Sequence, residues 1–165
     1  MLGFVTVTGT GAADRLLAET AATLEARGLR LAGAVQQNLD RGPGQDCDMD
    51  LRILGEGGVI RISQNLGPDA ESCRLDSGAL AEAVARSEAV LAQGADLVIV
   101  NKFGKQECYG RGFRAFIATA LAQGVPVLVS VPCEQLPEFH AFAQDLAEPV
   151  APATVLDWCR ARLSA

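Results

Sequence analysis

Asn101, Lys102, Lys105 and Glu107, with Arg111 close behind, place an amide, two ammoniums, a carboxylate and a guanidinium in one short stretch, NKFGKQECYGRG. Such groups suit the binding or electrostatic handling of an oxyanion. The stretch follows Val98-Ile99-Val100, and a β-branched run without polar interruption is typical of a strand buried on both sheet faces. In open α/β sheets ligands collect just past the carboxyl ends of the strands. The stretch is therefore the first candidate site.

A second candidate is Gly9-Thr10-Gly11, followed by Ala12-Ala13-Asp14. It joins a short β-branched run, GFVTVT, to a helical pattern carrying Leu16, Leu17 and Leu24. Backbone N–H groups and the helix dipole at such a turn attract anions. Gln36, Gln37 and Asn38, with Gln64 and Asn65, add amides near two strand ends; these can read a base or an oxo group, and they also cap loops. Of five cysteines, Cys47, Cys73 and Cys108 fall in three separate loops. Convergent thiolates there would suit copper, zinc or a thiophilic oxometal species. An odd count without a CxxC pair points more simply to free thiols. His140 is the only histidine and lies in a helical pattern beside Phe139 and Phe142, so it reads as a packing or surface residue. A Ser-His-Asp or Cys-His mechanism has little support without it.

These groups need elements to hold them. Strands are expected over residues 3–8, 29–37, 96–100 and 125–131. Leu51 and Ile53 with Val59, Ile60 and Ile62 flank Gly55-Glu56-Gly57-Gly58 as an inserted β-hairpin. Helices are expected after Asp14 as far as about Arg27, from Asp76 or Ser77 to Gln93, and over 113–123, 136–146 and 154–163. Gly28, Gly94 and Gly124 stand where three of them should stop. Strands alternating with helices indicate βαβ units and a mostly parallel three-layer α/β fold. At 165 residues one domain is expected. The core is aliphatic, with 49% hydrophobic residues and only 5% aromatic. A net charge of −6 argues against nucleic-acid or anionic-membrane partners. With no signal-peptide pattern at residues 1–9 and no run long enough to span a bilayer, a cytoplasmic location is expected.

The element order, together with NKFGKQE, resembles the small P-loop nucleoside triphosphatases related to the human cancer-related nucleoside triphosphatase. Their Walker B run has the form DEIGKME, and Gly104, Lys105 and Glu107 match it in place. The combination of QQN, SQNLGP, CRLD and NKFGKQE also looks like a bacterial domain family of unknown function found beside molybdate-transport and molybdenum-enzyme genes. The resemblance covers most of residues 1–146. It implies a P-loop-like fold and a nucleotide-type site.

The departures fall on the chemistry. The positions of the magnesium-holding acid and the water-orienting glutamate are Asn101 and Lys102. In the first loop Ala13 stands at the P-loop lysine position and Asp14 at the hydroxyl position. Phosphoryl transfer depends on charge stabilisation and positioning, so losing all four leaves no hydrolytic mechanism. The alignment brings Asp14 near Lys102, which implies that the two pair and that Asp14→Ala would strengthen anion binding. Glu107 is expected to be structural, tied to Lys105 or Arg111. The expected function is a non-hydrolysing module for a small anionic ligand, a nucleotide or a molybdenum-type oxyanion, and a cofactor is not specified. Two other readings are an enzyme with altered chemistry on Lys102 or Lys105, and a structural homodimeric partner with a relic site.

Overall fold

Short aliphatic runs alternating with amphipathic segments fold as one sheet with helices on both faces. The structure, a computed structural model, describes residues 1–39, 42, 48–64 and 75–163. Its strands are β1 (Leu2–Val5), β2 (Leu31–Leu39), β3 (Asp48–Ile53), β4 (Val59–Arg61), β5 (Leu97–Asn101), β6 (Val127–Ser130) and β7 (Ala147–Pro149). Its helices are α1 (Ala12–Ala26), α2 (Ser77–Ala92), α3 (Lys105–Cys108), α4 (Arg114–Ala122), α5 (Leu136–Ala143) and α6 (Val155–Leu163). The sheet runs β4-β3-β2-β5-β6-β1-β7. Five strands from β2 to β7 are parallel along this order, and the β3–β4 hairpin adds antiparallel at one edge. The architecture is the mixed α/β, three-layer one expected, and it is consistent with a P-loop nucleoside triphosphatase-like fold. None of the described helices is long and apolar enough to cross a membrane.

Strand alternation sorts the core into two layers. Ala32, Ala34, Val98, Val100, Val127 and Val129 face α2, α4 and α5. Leu31, Val35, Leu97, Ile99 and Leu128 face α1 and α6. On α1 the spacing of Leu17, Ala21 and Leu24 gives one fully buried stripe. Each of its leucines contributes about 1.5–3 kcal/mol by leaving water. Asp76 caps α2, its carboxylate accepting from the Ala79 N–H at 3.0 Å. Gly28 takes the left-handed conformation that ends α1.

Four boundaries differ from the expectation. β1 stops at Val5, and β2 runs two residues further, through Leu39, so Asn38 joins Gln36 in the strand and both pair with β3. The lysine-rich stretch coils into the single turn α3. The helix expected over 136–146 ends at Ala143 in a 3₁₀ turn, and β7 follows it. β7 has no hydrophobic alternation, because as an edge strand it need only pair on one side and tolerates Pro149. Its Glu148 accepts from the Trp158 indole N–H at 2.6 Å and from Arg162, which ties α6 to the edge. His140 is exposed and sits edge-on to Phe4, 5.3 Å between ring centres.

Gly33 leaves no room for a side chain in the sheet. It sits mid-β2 at φ 109°, opposite Ile99, and a Cβ there would lie 1.9 Å from the Ile99 carbonyl oxygen. Gly33→Ala should therefore cost roughly 3 kcal/mol or more by combining backbone strain with overpacking. Urea denaturation reads this directly, and an unchanged midpoint would refute it.

Candidate functional site

β1, β5 and β6 are parallel neighbours, so the segments leaving their carboxyl ends share one edge of the sheet. After β1 the chain turns through Gly9 and Gly11, both with positive φ, and Gly11 is the N-cap of α1. A side chain costs least to omit here, because the left-handed conformation disfavours any Cβ. The turn delivers Asp14 into the first turn of α1. A carboxylate there is stabilised by the helix dipole, by about 0.3–1 kcal/mol.

Asp14 is fixed by amides from two other strands. Its Oδ1 accepts from Asn101 Nδ2 at 2.9 Å, and its Oδ2 accepts from Asn38 Nδ2 at 3.1 Å. Asn101 is buried at the end of β5, and its Oδ1 accepts from the Ser130 hydroxyl at 3.0 Å. Asn38 Oδ1 in turn accepts from Gln36 Nε2 at 3.0 Å. A carboxylate only accepts, so it sets the orientation of both amides. The result is a chain of hydrogen bonds running from β6 through β5 and α1 to β2.

The expected Asp14–Lys102 pair does not form. Asp14 has its donors in Asn101 and Asn38, and Lys102 is exposed with no ion pair to a described residue. The two residues do face the same small cleft, of about 160 Å³, with Gly9, Gly11, Asn101 and Ser130. The two loops therefore converge as the alignment implied, while Asp14 takes amide partners and Lys102 pairs with no described residue. The peptide bond between Asn101 and Lys102 is cis.

Glu107 frames the loop after β5. Its Oε1 accepts from the Gly104 N–H at 2.9 Å and its Oε2 from the Phe113 N–H at 2.8 Å. Neither Lys105 nor Arg111 is its partner, which corrects the expected tie; the nearer backbone donors satisfy both oxygens. Gly112 makes room, since a Cβ there would lie 1.8 Å from Oε2. Burial pushes the Glu107 carboxyl above its usual range. The N–H groups of Phe113 and Gly104 and the Lys102 ammonium pull it down without overcoming burial.

Other expected residues are dispersed. Thr10 is exposed, and its carbonyl accepts from Arg15 at 3.4 Å. Arg111 turns to a separate cavity against α2, shared with Glu88, and so does not join the lysines. Lys102 and Lys105 instead border a larger groove of about 670 Å³ with Gln36 and Asn101. Cys108 is packed against the core, and burial raises its thiol, which disfavours the thiolate a metal needs. Cys47, Cys73 and Asn65 lie outside the described residues. Among the described residues no group of three or more His, Cys, Asp or Glu side chains is placed to hold a metal ion. Ser130 escaped the sequence reading. Its signal was a lone polar residue ending the aliphatic run VPVLVSV, where a buried hydroxyl must find a partner.

The residues do not fit a magnesium nucleotide. Each oxygen of Asp14 already accepts from an amide, and Asn101 is committed to Asp14 and Ser130. A phosphate at the N-terminus of α1 would meet that fixed negative charge.

The model of the family described as "Protein of unknown function (DUF2478)" matches residues 2–158. The chain belongs to the DUF2478 family. Over 119 residues, 72% of its length, this DUF2478 chain is 44% identical to the molybdenum import ATP-binding protein ModC 2 of Bradyrhizobium diazoefficiens. The match takes in 13% of that relative, so the chain corresponds to a small part of it. No solved structure matches the chain.

Two outcomes follow from this geometry. Asp14→Asn puts a donor against one of two amide donors and should cost roughly 1–3 kcal/mol in urea denaturation; no loss would show that the network is not holding the loops. For Glu107, a folded value above the unfolded one means that the folded state binds the proton more readily. Its contribution to stability is complete below the unfolded value and is lost as pH rises through the folded one. The stability gap between the native chain and Glu107→Gln should therefore shrink as pH climbs from the ordinary carboxylate range, and a gap that widens would contradict the assignment.

Proposed function

We propose that this domain is a binding module for a small anionic ligand, a nucleotide or a molybdenum-type oxyanion, which it does not hydrolyse. The observation that carries the reading is the Asp14 carboxylate held between Asn101 and Asn38 at the N-terminus of α1, with Lys102 in the same cleft, Lys105 in the adjoining groove, and neither lysine ion-paired to a described residue. A site that has exchanged its metal acid for an amide can still hold negative charge on its lysines, but it has nothing to drive phosphoryl transfer. The molybdenum context comes from the likeness to part of a molybdenum import ATP-binding protein. In this reading the anion rests against Lys102 and Lys105, displaced from the glycine turn by the carboxylate already there.

Thermal melting with ATP, GTP, phosphate, molybdate and tungstate tests it. At a hundredfold excess over Kd, a true ligand should raise Tm by roughly 5–10 °C. Lys102→Met should shrink the shift, and no phosphate should be released from ATP above a protein-free blank. Brisk release, or no shift with any of the five, contradicts the proposal.

A further inference from the structure

The groove bordered by the lysines has a floor that a bare oxyanion would not use. Leu51, Ile62, Leu80 and Phe113 are buried core residues of β3, the segment after β4, α2 and the segment before α4, and each presents surface to it. Met49, partly buried, completes an apolar bed. At about 670 Å³ the groove falls in the size range of pockets that hold organic ligands, roughly 300–1,000 Å³. The smaller cleft at the glycine turn shares Asn101, Lys102 and Pro132 with it, and Asp14 guards that end.

Polar groups border the bed on one side. Lys102 and Lys105 are exposed and make no ion pair with a described residue, in a chain whose net charge is −6. Gln36 is 7% exposed; its Nε2 donates to Asn38, and no described residue donates to its Oε1. That oxygen keeps some access at the groove wall and is open to a donor on a ligand. The acidic residues at the groove do not cancel the lysines equally. Glu107 is saturated by backbone N–H groups, and Glu134 is exposed to solvent.

We infer that the groove binds an amphipathic organic anion: an apolar, ring-sized body on the Met49–Leu51–Phe113 bed, a carboxylate or phosphate on Lys102 and Lys105, and one N–H or O–H donor on Gln36. The inference rests on the proposed reading that these lysines receive an anion, and it names the class of that anion. A polyphosphate chain reaching the glycine turn is disfavoured, because it would have to displace or approach the Asp14 carboxylate.

The probe is 8-anilinonaphthalene-1-sulfonate, an aromatic body with one fixed anion, compared with neutral N-phenyl-1-naphthylamine. The sulfonate should bind saturably at one site per chain and at least tenfold more tightly than the neutral amine. The Lys102→Met/Lys105→Met double variant, with an unchanged circular dichroism spectrum, should weaken the sulfonate at least tenfold and leave the amine unaffected. Competition by benzoate against phenyl phosphate then separates a carboxylate from a phosphate ligand. Non-saturable binding, equal affinity for the two probes, or indifference to the lysines overturns the inference. The failures are distinguishable: a lysine-dependent Tm shift with phosphate or molybdate but no sulfonate binding leaves the anion module standing and removes the apolar body. Sulfonate binding without any oxyanion shift removes the bare oxyanion and keeps the groove.

Discussion

One carboxylate organises the candidate site. Asp14 stands in the first turn of α1 and holds the end of β5 through Asn101 and the end of β2 through Asn38. Hydrogen bonds to a charged group are worth about 1.5–3 kcal/mol each, more than neutral ones. The part-buried bond from Asn101 carries most of that worth, and the exposed one from Asn38 adds less. The same acid also satisfies the electrostatic demand of the helix N-terminus, a place where phosphate-binding folds receive their ligand. The protein supplies its own anion there.

This substitution explains why the rest of the edge looks as it does. An acid at the end of β5 would repel Asp14, and the amide of Asn101 both avoids that repulsion and donates to it. Ser130 completes the arrangement by giving the Asn101 carbonyl oxygen its donor. The positive charge lies two strands away from the glycine turn, on Lys102 and Lys105 after β5, in a loop that Glu107 braces.

Much of the scaffold was legible in the chain. The unbroken β-branched runs that became β5 and β6, the acid capping α2 and the glycines ending three helices are local signals, and each has a short-range cause. β7 was not legible, since Ala-Glu-Pro carries no periodicity and is a strand only because β1 offers it an edge. The nearness of Asp14, Asn101 and Lys102 was legible, Arg111 was wrongly grouped with them, and the pairings were misread. Proximity of the two loops followed from the alignment, but the choice between Lys102 and Asn101 as the partner of Asp14 depends on side-chain reach across 87 positions of sequence. Pattern cannot rank a flexible ammonium against a short amide already locked by Ser130. Glu107 went the same way, because its partners are backbone N–H groups that every residue possesses.

The strength of the coupling between Asp14 and Asn101 tests the account most directly. A double-mutant cycle built from Asp14→Ala, Asn101→Ala and the pair, measured by urea denaturation, isolates it from the other contacts of each residue. A coupling of roughly 1–3 kcal/mol is the expected value for a charged, partly buried hydrogen bond. Additive losses, with coupling near zero, would mean that the carboxylate does not hold the two loops together.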